Sequence, residues 1–79
     1  MSAKAFVLIE TSIGKTDDVV KAIRKCEGFT SVDAVTGPYD VIAVLECPDL
    51  PTVGDLLTKH IHKIDGVTRT VTCLCIKVG

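Results

Sequence analysis

Two short runs of consecutive apolar residues restrict most strongly what this chain can fold into. Residues 5–9 and residues 41–45 are apolar at every position. Because a β-strand points alternate side chains to opposite faces, a strand formed by either run is apolar on both faces. Such strands belong in the centre of a sheet that is covered on both sides. Neither run approaches the roughly 20 apolar residues that a membrane-spanning helix needs.

Two helices and two further strands are predicted around these runs. Asp17 and Asp18 near the start of the first helix and Arg24 near its end suit the helix dipole. Gly28 and Gly66 are natural stops after the two helices. The predicted strands are residues 3–11, 29–36, 39–47 and 67–78, and the predicted helices are residues 15–26 and 50–64, the second capped by Asp49.

The order of these elements, βαββαβ, contains an internal repeat. Residues 25–30 (KCEGFT) correspond to residues 63–68 (KIDGVT) at an offset of 38 residues, and each segment is a helix end, a glycine stop and a strand start. Two βαβ halves predict an α+β fold of ferredoxin-like type, with a four-stranded antiparallel sheet and two helices on one face. We interpret residues 1–79 as a single domain, with the more apolar first and third strands in the centre of the sheet.

The predicted sheet has one face that the helices leave open. Right-handed crossovers place both helices on the same side, yet the two central strands are apolar on both sides. Exposed apolar surface costs about 25 cal/mol per Å². We therefore expect a second copy of the chain to cover this face, in a homodimer that resembles a dimeric α/β barrel.

Charge and cysteine content argue against several classes of protein. Nine Lys and Arg residues are offset by ten Asp and Glu residues, which does not suggest direct binding of nucleic acid. No signal-peptide pattern is present, so we expect a soluble cytoplasmic protein without disulfides or membrane contact. The four cysteines are interpreted as small buried apolar side chains. His60 and His62 lie too far apart around a helix to share a metal ion, and neither a metal nor a cofactor is expected.

The motifs along the chain resemble those of a known family. They are residues 5–9 (AFVLI), Gly14-Lys15, residues 34–42 (AVTGPYDVI), residues 63–67 (KIDGV), and Thr70 with Thr72. Together they resemble the ligand-binding domain, or RAM domain, of the leucine-responsive and asparagine-responsive (Lrp/AsnC) transcriptional regulators. Typical members also carry an N-terminal helix-turn-helix domain. This sequence begins directly at the first strand, so the resemblance implies a stand-alone version.

The resemblance also implies a function and a site. Such domains are non-catalytic modules for binding and oligomerisation that act in the regulation of transcription or amino-acid metabolism. Their dimers assemble into octamers or decamers, and amino acids or similar small metabolites bind between the dimers. The ligand-binding residues it implies are Thr36, Gly37, Tyr39, Asp40, Thr70 and Thr72. In this interpretation the bare backbone at Gly37 admits a ligand carboxylate, and Asp40 pairs with an ammonium group.

Two alternative functions remain open at this point. The chain could be a structural oligomerisation partner of full-length Lrp/AsnC regulators, since the pairing surfaces would look the same. It could also be a small dimeric enzyme with a ferredoxin-like fold. Its candidate acid–base or basic residues would be Asp33, Asp40, His60 and Arg69, which form no recognisable catalytic motif.

Overall fold

A computed structural model of the chain describes residues 2–76. Its elements follow the predicted βαββαβ order, with a short 3-10 turn added before the last strand. They are β1 (Ala3–Thr11), α1 (Thr16–Arg24), β2 (Phe29–Ala34), β3 (Val41–Cys47), α2 (Leu50–Lys59), the 3-10 turn (Ile61–Lys63) and β4 (Val67–Leu74).

The four strands form one antiparallel sheet in the order β2-β3-β1-β4. The two most apolar strands are therefore central, which confirms the prediction. Their alternate side chains pack beneath the helices, and Val7, Ile9 and Leu45 have no exposed surface. Val19 and Ile23 of α1 and Val53 and Leu57 of α2 close the core from above.

The second helix ends earlier than predicted. At His60 the backbone reaches φ −111° and ψ −61°, and the next hydrogen bonds, such as Ile64 N–H to the Ile61 carbonyl, follow the tighter 3-10 pattern. This turn buries Ile61 completely. The start of the helix agrees with the prediction, because Asp49 accepts hydrogen bonds from the Thr52 backbone at 2.9 Å and hydroxyl at 2.6 Å. These two hydrogen bonds lower the pKa of Asp49.

Three strand ends also differ from the predicted boundaries. β2 ends two residues early and β3 begins two residues late, because residues 35–40 form a connecting loop. That loop is closed by a 2.9 Å hydrogen bond from Val35 N–H to the Asp40 carbonyl. β4 ends at Leu74, although Cys75 N–H still donates to the Lys4 carbonyl at 2.8 Å. The predicted continuation over residues 77–78 lies outside the described residues.

The interpretation of all four cysteines as buried side chains was wrong. Cys47 is buried and Cys26 is half-buried, but Cys73 and Cys75 are exposed. Both exposed cysteines lie on the face of the sheet opposite the helices, since Cys73 pairs with Phe6 rather than with a residue of the core. Residues 2–76 leave that side of the sheet uncovered, which agrees with the open face predicted from the sequence.

Candidate ligand site and open sheet face

The loop between β2 and β3 carries four of the predicted site residues, Thr36, Gly37, Tyr39 and Asp40. Gly37 has φ +124°, a conformation that side chains disfavour, and a Cβ atom there would meet nothing within 4 Å. The backbone at Gly37 is therefore open to an approaching group. Thr36 is exposed, whereas Tyr39 is half-buried.

Asp40 holds this loop against the sheet. Its Oδ2 atom accepts a 2.8 Å hydrogen bond from the Thr11 N–H, and its own N–H donates to the Ile9 carbonyl at 2.9 Å. With the bond from Val35, Asp40 joins β1, β2 and β3 at one end of the sheet. The sequence-based interpretation of Asp40 as an ammonium partner did not include this structural role. Oδ1 has no hydrogen-bond partner in residues 2–76 and can still accept one.

The other two predicted residues, Thr70 and Thr72, lie on the edge strand β4. They pair with Ile9 and Val7, so they are on the same side of the sheet as the helices. Thr72 is nevertheless exposed and Thr70 is only half-buried. The helices pack mainly over β1, β2 and β3, so the two hydroxyl groups on β4 form an uncovered polar strip.

The loop and the polar strip do not form one pocket within a single chain. Ile9 of β1 pairs with Val41, the residue after Asp40, on one side and with Thr70 on the other side. The start of β3 and Thr70 are therefore separated by two strand spacings, about 10 Å.

A shallow cavity of about 260 Å³ adjoins the polar strip. It is formed where β1 and β4 shift register at Glu10 and Thr11, which leaves Thr68 without a partner across the ladder. Thr68 donates its hydroxyl to the Glu10 carbonyl at 3.1 Å, and Arg69 lies 3.5 Å from the Glu10 carboxylate. The residues that line it are His62, Val67, Thr68, Arg69 and Thr70.

Four of these lining residues, His62, Val67, Thr68 and Arg69, were not predicted as ligand-binding residues. The register shift moves Thr68 out of the alternation on which the prediction relied, and no residue type in the sequence marks that shift. Arg69 is the side chain best suited to a carboxylate, because its guanidinium group can donate two parallel hydrogen bonds. Its ion pair with Glu10 is exposed and therefore easily exchanged for a ligand.

The face of the sheet opposite the helices carries a compact apolar patch. Its side chains form two rows across β3, β1 and β4: Val44, Phe6 and Cys73 in one row, and Ile42, Leu8 and Val71 in the next. We call these six residues the apolar face. Polar and charged residues surround it, namely Lys4, Glu10, Ser31, Asp33, Glu46 and Arg69.

The four candidate residues for an enzyme site do not converge. Asp33 and Arg69 lie on opposite edge strands of the open face, three strand spacings or about 14 Å apart. His60 caps the end of α2 on the other side of the sheet, and Asp40 is bonded to Thr11.

Within residues 2–76 there is also no cluster of three or more His, Cys, Asp or Glu side chains placed to hold a metal ion. None of the helices described is long and apolar enough to cross a membrane.

Comparison with known proteins agrees with this architecture. The family model described as "Lrp/AsnC ligand binding domain" matches residues 4–78. TTHA0845 from Thermus thermophilus is 32% identical with a TM-score of 0.91, and the match covers 98% of this chain and 96% of that chain. The hypothetical protein PHS023 from Pyrococcus horikoshii is 27% identical with a TM-score of 0.88, covering 99% and 93%.

A longer protein shares the same fold at lower identity. The transcriptional regulator NMB0573 from Neisseria meningitidis, solved as an L-Met complex, is 19% identical with a TM-score of 0.85. The match covers 95% of this chain and 50% of that regulator. A search of curated proteins found no match. The family model spans nearly the whole chain and confirms the resemblance seen in the motifs, so the chain belongs to the Lrp/AsnC ligand-binding domain family.

Proposed function

We propose that the chain is a non-catalytic regulatory module that binds an amino acid at a seam between copies of itself. The observation that carries this proposal is the division of the candidate residues into two groups. The loop at Gly37 and Asp40 and the polar strip at Thr70 are each open, but β1 lies between them. Each group is half of a site, and two copies are needed to complete it.

The chemistry of the two halves suits the two ends of an amino acid. The cavity beside β4 offers the Thr70 hydroxyl to a carboxylate. The loop of the neighbouring copy offers the free Oδ1 atom of Asp40 to an ammonium group. The L-Met complex of NMB0573 supports an amino acid as the ligand class.

We also propose that copies of the chain assemble through the apolar face. The apolar face of one copy packs against that of another, which removes apolar surface from water and leaves the charged margin exposed. Dimers then join into an octamer or decamer, and the seams between dimers bring the loop of one chain to the polar strip of the next. The polar margin and apolar centre are typical of such interfaces.

A thermal-shift screen against the twenty amino acids tests the ligand. We expect at least one to raise the melting temperature, because a ligand at 100 times its Kd stabilises the folded state by about 2.7 kcal/mol. Thr70→Val, which removes only the hydroxyl, should weaken that ligand about tenfold. The matched control is Thr30→Val on the opposite edge strand, which should bind as the wild type does. If no amino acid shifts the melting temperature, the ligand proposal is wrong, and a purely structural role beside longer regulators is favoured.

Two substitutions at Asp40 separate its structural role from its proposed ligand role. Asp40→Ala leaves the Thr11 N–H without an acceptor and should destabilise the chain by about 1–3 kcal/mol. Asp40→Asn keeps an oxygen acceptor and should lose less stability, as measured by urea denaturation. Because it removes the charge that meets the ammonium group, it should still weaken the amino acid at least tenfold. Unchanged affinity in Asp40→Asn would remove Asp40 from the ligand site.

A further inference from the structure

His62 lies at the cavity beside β4, on the 3-10 turn that follows α2. This turn is anchored to the core, because Ile61 is completely buried and the Ile64 N–H donates to the Ile61 carbonyl at 3.2 Å. The next residue after Ile61, His62, is exposed and lines the cavity together with Thr68 and Thr70. The early end of α2 therefore places a titratable side chain beside the polar strip.

A carboxylate in this cavity is held most strongly by a positively charged donor. A hydrogen bond to a charged group is roughly twice as strong as one between neutral groups, so the threonine hydroxyl groups alone are weak partners for a carboxylate. Two of the residues that line the cavity can carry a positive charge, His62 and Arg69. Arg69 is already paired with the Glu10 carboxylate at 3.5 Å, whereas His62 forms no salt bridge within residues 2–76.

The surroundings of His62 contain no free anion that would take the place of a ligand. Within the described chain, neither Asp nor Glu is among the residues that line the cavity. Asp65, which follows the turn, is exposed and lies 3.5 Å from the Lys15 ammonium. The charged or titratable side chains on the elements around His62 are His60, Lys63 and Asp65 near it in the sequence, Asp55 and Lys59 of α2, Glu10 of β1, Lys15 before α1, and Arg69 of β4.

We infer that His62, in its protonated form, binds the carboxylate of the amino acid beside the Thr70 hydroxyl. This inference rests on the proposed function, because it assigns the charged partner in the carboxylate half of that site. Only a protonated imidazole is charged, and the ordinary pKa of histidine is about 6.5. Because the carboxylate stabilises the protonated form, the affinity for the amino acid is greatest below this pH and decreases as the pH rises through it.

Calorimetric titration of the full chain with each of the twenty amino acids, at about pH 5.5 and about pH 7.5, tests this inference. The protonated fraction of an ordinary histidine falls about tenfold between these two values, so the best-bound amino acid should bind about tenfold more tightly at the lower pH. His62→Gln keeps a hydrogen-bond donor without a charge and should show the weaker affinity at both pH values. His62→Lys is charged at both and should show the tighter affinity at both.

The matched control is His60→Gln. His60 is the other of the two histidines in the chain and is not among the residues that line the cavity, so this variant should keep the tenfold difference. Because His62 is exposed, the melting temperatures of its two variants without amino acid should equal that of the wild type.

Two outcomes would overturn this inference and leave the amino-acid site standing. One is an affinity in the wild type that does not change with pH, and the other is a pH dependence that persists in His62→Gln. If none of the twenty amino acids binds at either pH, the proposed function fails, and the role of His62 fails with it.

Discussion

Replacing Gly66 by Ala should destabilise the protein by about 2–5 kcal/mol. Gly66 joins the 3-10 turn to β4 with φ +100°, a conformation that costs a residue with a side chain about 1–2 kcal/mol. A Cβ atom at this position would lie 2.8 Å from the Lys15 Cβ and 3.2 Å from a methyl group of Val19. Such overpacking adds about 1–3 kcal/mol. The backbone cannot simply move away, because the Gly66 carbonyl accepts a 2.8 Å hydrogen bond from Ser12 N–H.

Gly14→Ala provides the matched control for this clash. Gly14 also has a positive φ, +80°, but a Cβ atom there would meet nothing within 4 Å. The substitution should therefore carry only the backbone cost of about 1–2 kcal/mol. Urea denaturation of both variants measures the difference. A domain of this size has a total stability of about 4–12 kcal/mol, so Gly66→Ala should remove a large fraction of that stability and lower the melting temperature markedly. Equal losses in the two variants would show that the contact with Lys15 is relieved by a small shift.

The fold could be predicted from this sequence because its strongest signals are local. Residues 5–9 and 41–45 are apolar on both faces, which is enough to place β1 and β3 in the centre of the sheet. Gly28 and Gly66 mark the ends of the two helical segments. The end of the second helix, which was missed at His60, depends on how the chain must turn to bury Ile61 and reach β4. That turn is set by tertiary packing, which a helical pattern does not contain.

The candidate site was less predictable because it depends on the register between strands and on which strands the helices cover. The hydroxyls of Thr70 and Thr72 are open because the helices pack over the other three strands, and nothing in the sequence of β4 indicates this. The cavity at Arg69 lies where the ladder shifts by one residue beside Glu10. The structural role of Asp40 was not predictable for the same reason, because the hydrogen bond that its side chain accepts from Thr11 links residues 29 positions apart. The motif could identify residues of interest but could not separate their structural and ligand roles.

Replacing Leu8 by Glu should separate the proposed dimer and leave the fold of each chain intact. Leu8 is in the centre of the apolar face, between Ile42 on β3 and Val71 on β4. In a single chain it is only half-buried, so a glutamate there can reach water and the core beneath β1 is unaffected. In a dimer the same carboxylate would be buried without a partner, at a cost of several kcal/mol. We expect the dissociation constant to rise at least 100-fold, which corresponds to about 2.7 kcal/mol.

Native mass spectrometry and sedimentation over a range of protein concentrations measure this effect, and Ile13→Glu is the control. Ile13 is fully exposed in the turn after β1 and lies outside the apolar face, so the same change of residue should leave the assembly as it is. The melting temperature of the wild type should rise with protein concentration, because association stabilises the folded chain, whereas that of Leu8→Glu should not. A wild-type chain that stays monomeric at every concentration would contradict the proposed pairing. The amino-acid site proposed across copies would then fail with it, because in that proposal each chain holds only half of the site.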